Sequence, residues 1–102
     1  MDRLITLAKV FSDKNRLSIF AMTLRDTELC VCEFCDTLHL SQPLVSRHLK
    51  QMREAGILKS EQRGKWIVYS LHDEMDSFLQ CWAKEAKKYI KSLPPLISCS
   101  AK

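Results

Sequence analysis

The sequence predicts a mainly α-helical domain with one β-hairpin, in the order α-α-α-α-β-β-α. Apolar residues recur at three-to-four spacing along most of the chain, which is the helical period. Two short segments interrupt this pattern, 57–61 and 66–71, of which the second is rich in β-branched and aromatic residues, and Arg63-Gly64 lies between them. The length of 102 residues fits one domain with a small core.

Four helices are predicted before the hairpin, each from a buried stripe at helical spacing. Ser12-Asp13 offers a break and a cap between the first two. Ser41 is a good N-cap for the fourth, with Pro43 in the first turn, where a missing N–H costs little. Ala55-Gly56 ends that helix. The predicted helices cover about 4–11, 14–24, 31–38 and 42–55.

The hairpin strands are predicted at 57–61 and 66–71, with a basic tip between them. A last helix is predicted from about Glu74 to Ser92, because apolar residues continue at helical spacing there. Pro94-Pro95 stops it. This order of elements is that of a winged helix-turn-helix, in which the third and fourth helices form the helix-turn-helix and the hairpin is the wing.

Composition narrows the class of protein. The net charge is +4, and the whole excess lies between Ser41 and Ser70, where six basic residues stand against two acidic ones. A surface that binds a polyanion requires such a local excess of positive charge. No apolar run approaches the roughly 20 residues of a membrane span, and the start of the chain lacks the apolar core of a signal peptide. We therefore expect a cytoplasmic protein with reduced thiols and no membrane contact, folded as one domain over 1–102 with a short tail from about 94.

Three of the five cysteines, Cys30, Cys32 and Cys35, fall within six residues at the start of the third helix. Thiolates select thiophilic ions. Cys32 and Cys35 share a helix face, whereas Cys30 and Cys32 would lie about 200° apart around a regular helix. Capture of one ion by all three therefore requires that Cys30 precede the helix or that the first turn unwind. We also expect the helix N-terminus to lower the thiol pKa values.

Several linked motifs carry a resemblance to a known family. They are Glu28-Leu29-Cys30-Val31-Cys32-Glu33, the segment from Leu40 to Leu49, the segment from Arg53 to Leu58, and the segment from Gly64 to Leu71. Together they resemble the ArsR/SmtB family of metal-sensing repressors over roughly Leu7 to Leu71, and the cysteine motif is similar to that of the arsenical-resistance operon repressors. The resemblance implies a repressor that leaves its operator DNA when an ion binds the thiols.

The fourth helix is predicted to enter the major groove, where Gln can pair with adenine, Arg with guanine, and Ser or Lys with phosphates. The wing tip is expected to reach the minor groove or its phosphates, as the resemblance implies. For His48, half-buried packing is an equal alternative to DNA contact. The predicted DNA-binding residues are Gln42, Ser46, Arg47, His48, Lys50, Arg63 and Lys65.

A homodimer on a partly palindromic operator is expected, because a monomer of this size contacts too few base pairs for specificity. The first and last helices are the predicted interface. Their apolar faces contain Leu4, Leu7, Phe11, Phe78, Trp82, Tyr89 and Ile90.

The predicted effector is As(III) or Sb(III), held by the thiolates of Cys30, Cys32 and Cys35, with no cofactor and no catalytic residue. Trivalent arsenic takes three thiolates in a pyramid, whereas tetrahedral zinc or cadmium normally requires a fourth ligand. Cys81 is expected to pack as a small apolar residue. Cys99 is interpreted as a tail residue, with a fourth ligand for a partner subunit as the alternative.

Other functions stay open at this point. The same family fold can serve a repressor that responds to cadmium, lead or zinc, or to thiol oxidation. A constitutive DNA binder with a structural zinc is a further alternative. A thiol enzyme is disfavoured, because it would need an anion-cradling loop and the chain has only two glycines.

Overall fold

A computed structural model describes residues 1–98 and confirms the predicted fold class, with one strand added before the third helix. Most helix and strand boundaries fall within about two residues of the predicted ones. The described elements are α1 Asp2–Phe11, α2 Lys14–Asp26, β1 Leu29–Cys30, α3 Val31–Leu38, α4 Gln42–Glu54, β2 Leu58–Arg63, β3 Trp66–Leu71, α5 Ser77–Lys87 and a 3₁₀ turn Ile90–Ser92.

The two ends of α4 follow the signals in the sequence. At its start, the Ser41 hydroxyl accepts a hydrogen bond from the Leu44 N–H at 3.4 Å. At its end, Gly56 takes φ +73° and the Ile57 N–H donates to the Met52 carbonyl at 3.0 Å. This is a Schellman termination, which requires the left-handed conformation that glycine adopts without strain. Short-range chemistry therefore fixes where α4 begins and where it ends.

The last helix is shorter than predicted. The Asp76 carboxylate accepts from the Leu79 N–H at 2.8 Å, so Asp76 is the N-cap and Glu74 and Met75 lie outside the helix. At the other end, Lys88 and Tyr89 donate to carbonyls three residues back, which tightens the chain and closes α5 at Lys87. The predicted continuous helix from Glu74 to Ser92 was wrong at both ends.

The sheet has three antiparallel strands in the order β1-β3-β2. Strands β2 and β3 form the predicted wing, joined by a two-residue turn whose first residue, Gly64, takes φ +61°. The unpredicted strand β1 pairs with β3, with Leu29 opposite Tyr69 and Cys30 opposite Val68. The cysteine motif is therefore attached to the wing through the sheet.

The core lies between α1, α2, α4 and α5, and α3 adds Phe34 to it. Leu7 and Phe11, which the sequence placed in a dimer interface, are buried in this core. The Phe11 ring lies 4.8 Å from the Phe20 ring and 4.7 Å from the Trp82 ring, between centroids. These contacts hold α1 against the core, so only the outer side of α1 is left for a partner.

Candidate thiol site and DNA-contact surface

Cys30 lies ahead of α3, as its N-cap, with an extended backbone (φ −95°, ψ 167°). Of the two arrangements that the cysteine spacing permits, the structure therefore has Cys30 before the helix, with the first turn intact. As a result, the Cys30 and Cys32 sulfur atoms lie 3.1 Å apart. Two thiols that would face away from each other on a regular helix are adjacent here.

The start of α3 is a capping box in which a thiol replaces the usual hydroxyl. The Cys30 N–H donates to Glu33 Oε1 at 3.0 Å, and the Cys30 thiol faces the Glu33 backbone N–H. The Glu33 side chain is fully buried, and its second oxygen accepts from the Ser98 hydroxyl at 3.5 Å. Sequence reasoning missed Glu33, although an acidic residue three positions after an N-cap is the capping-box signal.

Cys32 and Cys35 are half-buried and line, with Cys30, a cavity of about 540 Å³. Within residues 1–98, no three side chains of the metal-binding types are close enough together to hold an ion. The structure thus brings Cys30 and Cys32 together and leaves Cys35 on the same cavity wall. The rest of the wall comes from Val31, Asp36, Gln42, Lys65, Trp66 and Ile67.

The pKa values of two of the thiols differ from the expectation. Burial raises the pKa of the Cys30 thiol, and burial together with the nearby Asp36 carboxylate raises the pKa of Cys35. The expected lowering of the pKa is therefore wrong for these two residues, because desolvation of the thiolate outweighs the hydrogen bonds that favour it. Both groups remain protonated thiols near neutral pH.

The outer face of α4 carries four of the predicted DNA-binding side chains. Gln42, Ser46, Arg47 and Lys50 are all exposed, opposite the buried stripe of the helix. None of the ion pairs in the described part of the chain involves Arg47 or Lys50. These side chains are therefore open to a ligand in solvent.

His48 does not belong to this face, because it is buried beneath the helix. Arg16 Nη1 lies 3.3 Å from His48 Nδ1, and since a guanidinium only donates, Nδ1 is the acceptor and unprotonated. Arg16 also donates to Gln51 Oε1 and to the Val10 carbonyl, so it joins α4 to the end of α1. The signal for burial was present in the sequence, since His48 occupies the apolar stripe with Val45 and Met52.

The stability of the fold is expected to fall as pH drops below about 6.5, because burial lowers the pKa of His48 from its usual 6.5. The unfolded chain takes up a proton on this histidine below pH 6.5, whereas the folded chain resists it until the pH reaches the lower folded pKa. The expected slope is at most about 1.4 kcal/mol per pH unit. Denaturant unfolding at pH 7.5, 6.5 and 5.5 measures it. In a His48→Gln variant, the free energy of unfolding should depend less on pH in this range. An unchanged slope in that variant would show that His48 is not the group responsible.

The wing tip differs from a free basic hairpin. Arg63 is bound by two carboxylates: its Nη2 lies 2.6 Å from Glu28 Oε2 and its Nε lies 3.3 Å from Glu61 Oε1. Glu28 precedes β1, so this ion pair connects the wing to the segment before the cysteine motif. Lys65 occupies the turn itself and is exposed. The pairing of Arg63 with a residue 35 positions away has no local signal in the sequence.

A second feature of the surface is an apolar groove of about 300 Å³ between α1 and α5. Leu4 and Phe78 are 46% and 40% exposed in it, and Trp82 is half-buried. Cys81, which was expected to pack, is exposed in the same groove. Cys99 lies outside the described residues.

Within residues 1–98, none of the helices has the length and apolar content of a membrane span.

Comparison with known proteins gives a consistent set of relatives. A family model described as "Bacterial regulatory protein, arsR family" matches residues 13–60, which include the thiol cluster and α4. The chain is 43% identical, over 76 residues, to the arsenic resistance transcriptional regulator ArsR1 of Pseudomonas putida, and this match covers 74% of the chain and 59% of ArsR1. It is 37% identical, over 89 residues, to the arsenical resistance operon repressor of Escherichia coli, covering 82% of the chain and 76% of that repressor.

Among solved structures, HlyU from Vibrio cholerae is similar with a TM-score of 0.74 and 26% identity, covering 85% of this chain and 90% of HlyU. The transcriptional repressor BigR from Xylella fastidiosa is similar with a TM-score of 0.68 and 25% identity, covering 89% of this chain and 86% of BigR. The sequence relatives are regulators and a repressor, which agrees with the prediction of a regulatory protein and not an enzyme.

Proposed function

The chain belongs to the arsR family of bacterial regulatory proteins, and on this basis we propose that it is a transcriptional repressor of an arsenic-resistance operon. In this proposal a homodimer binds operator DNA in the cytoplasm and leaves it when As(III) or Sb(III) binds Cys30, Cys32 and Cys35. The resemblance stated from the sequence motifs is confirmed by the relatives.

The observation that carries the proposal is the position of the thiol cavity. The cavity is lined by Cys30, Cys32 and Cys35, by Gln42 at the start of α4, and by Lys65 of the wing turn. An ion bound by the thiols would thus lie beside both elements that are proposed to contact DNA. Coupling between the two sites then needs no long path through the protein.

The protonation of the thiols supports a trivalent effector. Arsenite in neutral water is As(OH)₃, and its reaction with three thiols gives one As(SR)₃ and three waters, so each thiol proton leaves with a hydroxide. A divalent cation must instead release the thiol protons into solvent, which costs more when the thiol pKa is raised. Burial, which raises the pKa of Cys30 and Cys35, adds to this cost. The cavity also offers three thiols, the number that As(III) takes, whereas tetrahedral Zn²⁺ or Cd²⁺ normally requires a fourth ligand.

Two connections can transmit the change to DNA. Cys30 is both the last residue of β1, paired with Val68 of the wing, and the N-cap of α3. Helix α3 packs against α4, so a shift at the start of α3 reaches the recognition helix. When Cys35 approaches the Cys30–Cys32 pair, α3 and β1 must both adjust. The two recognition helices of the dimer then lose the spacing that the operator requires.

For DNA recognition we propose Gln42, Ser46, Arg47 and Lys50 of α4, with Lys65 in the wing turn. Arg63 stays in the set on one condition: it must exchange Glu28 and Glu61 for DNA phosphates. His48 is not included, because it is buried and accepts from Arg16. Arg47 is expected to supply base contact and Lys50 phosphate contact.

We further propose that the apolar groove between α1 and α5 is the dimer interface. In the isolated chain, Leu4 and Phe78 are exposed in this groove. Exposed apolar side chains that lie together mark a surface that a second subunit can bury. Replacing Phe78 with glutamate is expected to give a monomer at micromolar concentration, because symmetry places two unpaired carboxylates at the interface. Sedimentation of the wild type and the variant measures this.

A suitable control for the dimer is Ile97→Glu, since Ile97 is similarly exposed but lies away from the groove. It should remain dimeric. A monomeric wild type, or a Phe78→Glu variant as dimeric as the wild type, would contradict the proposed interface.

The effector assignment is tested by the stoichiometry and coordination of arsenic. The reduced protein is expected to bind one arsenic per chain, with three sulfur neighbours in X-ray absorption. Two sulfur neighbours, or no bound arsenic, would count against a site made of all three cysteines. Zinc that copurifies with the protein and cannot be displaced by arsenite would favour the structural-zinc alternative.

A further inference from the structure

We propose that Glu33 is a positioning residue of the thiol site: its buried carboxylate holds Cys30 ahead of α3, so that the Cys30 thiol meets that of Cys32. This inference rests on the proposed function, because it concerns the same three thiols. It assigns a role to a residue that does not itself bind the ion.

The geometry of the α3 start carries the inference. On a regular helix Cys30 and Cys32 would be about 200° apart, and only the extended backbone of Cys30 brings their sulfur atoms to 3.1 Å. Two contacts stabilise this backbone: the pairing of Cys30 with Val68 in the sheet, and the 3.0 Å hydrogen bond from the Cys30 N–H to Glu33 Oε1. Without the Glu33 acceptor, the Cys30 N–H loses its side-chain partner, and only the pairing with Val68 then opposes a backward extension of the first turn that would carry the Cys30 thiol away from Cys32.

The burial of Glu33 supports a specific role. Its side chain has 0% exposure, and a buried carboxylate is costly unless its oxygens are hydrogen-bonded. Both oxygens have partners: Oε1 accepts from Cys30 and Oε2 from the hydroxyl of Ser98, 65 residues away. An apolar residue would fill the same space at lower cost if packing were the only requirement. The carboxylate is thus held from two sides at the point where it fixes Cys30.

Two variants of Glu33 separate positioning from packing. Glu33→Met fills a similar volume without an acceptor, and Glu33→Gln keeps an amide oxygen that can accept from the Cys30 N–H. The readout is the number of sulfur neighbours of bound arsenic, from X-ray absorption, together with arsenite affinity. We expect Glu33→Gln to retain three sulfurs, and Glu33→Met to fall to two with an affinity roughly tenfold weaker, the usual scale for loss of an N-cap contact.

A matched control is Asp13→Ala, which removes the side-chain cap of α2 far from the thiols. It should lose similar stability and keep three sulfurs around arsenic. Should Glu33→Met fail to fold, Glu33→Asp shortens the side chain by one methylene, withdraws the acceptor from Cys30, and carries the same expectation of two sulfurs.

The outcomes distinguish this inference from the function on which it rests. Three sulfurs and wild-type affinity in Glu33→Met, or in Glu33→Asp if that variant is used, would overturn the role of Glu33 and leave the three-cysteine site intact. Loss of the third sulfur in Glu33→Gln as well as in Glu33→Met would also overturn it, since the hydrogen-bond acceptor would then not be the deciding feature. Fewer than three sulfurs in the wild type would instead overturn the proposed function.

Discussion

Replacing Cys32 with serine is expected to preserve operator binding and to abolish release by arsenite. Cys32 lies between the two other thiols in the sequence, and its sulfur is already 3.1 Å from that of Cys30. Serine is only slightly smaller than cysteine and is compatible with the helix. Its hydroxyl, however, does not bind a thiophilic ion as a thiolate does. The expected loss is the whole coupling between the sites, typically about 5–150-fold in DNA affinity.

The measurement is the affinity of the variant for operator DNA with and without arsenite, in a reducing buffer. Cys81→Ser is the matched control, because Cys81 is exposed on α5 and lies outside the thiol cavity. It should respond to arsenite as the wild type does, and because Cys81 lines the proposed dimer groove, sedimentation of this variant checks that it is as dimeric as the wild type. A Cys32→Ser protein that still releases DNA at wild-type arsenite concentrations would show that the cluster is not the effector site.

Among alanine substitutions of the proposed DNA-contact residues, that of Arg47 is expected to cause the largest loss of operator affinity. Its side chain is exposed on the outer face of α4 and belongs to none of the ion pairs described for residues 1–98. A bidentate arginine contact with guanine is worth about 1–3 kcal/mol, and a symmetric dimer loses it twice. The loss is therefore at least about 2 kcal/mol, or roughly 30-fold in affinity, and is greater on the operator than on unrelated DNA.

Arg53→Ala is the control for this experiment, since Arg53 is an exposed arginine of the same helix whose Nη1 lies 3.3 Å from the Ser60 hydroxyl. It points toward β2 and should change operator affinity much less. The operator can be found by selection from random duplexes, and binding can then be measured at fixed salt. Operator affinity of Arg47→Ala within twofold of the wild type would remove Arg47 from the recognition surface.

Much of the fold was predictable because its signals are local. Helix α4 begins after the Ser41 cap and ends before Gly56, where the sequence indicates, and the Arg63-Gly64 turn between two short segments indicates the wing. Strand β1 was missed because Leu29–Cys30 is only two residues long, and only its pairing with β3 makes it a strand. The early end of α5 was missed because the apolar spacing continues through the 3₁₀ turn.

The site was predictable in its residue types and less so in its arrangement. The cysteine spacing left two arrangements open, and the structure has Cys30 as the N-cap of α3, paired with Val68 and bonded through its N–H to Glu33. The pKa of the thiols depends on burial, which a local motif does not reveal. The Arg63–Glu28 ion pair joins residues that are far apart in the chain. It could not be predicted from the sequence, because only the fold places the two side chains together.

The central claim is that thiol capture of As(III) drives release from DNA, and one titration tests it most directly. Arsenite is added to the reduced wild-type protein bound to fluorescently labelled operator DNA, and anisotropy reports the bound fraction, with antimonite, cadmium, lead and zinc in parallel. We expect arsenite and antimonite to weaken DNA binding by about 5–150-fold and the divalent ions to act at higher concentration. A DNA complex that persists when arsenite occupies the thiols, or that dissociates only on addition of peroxide, would contradict the claim.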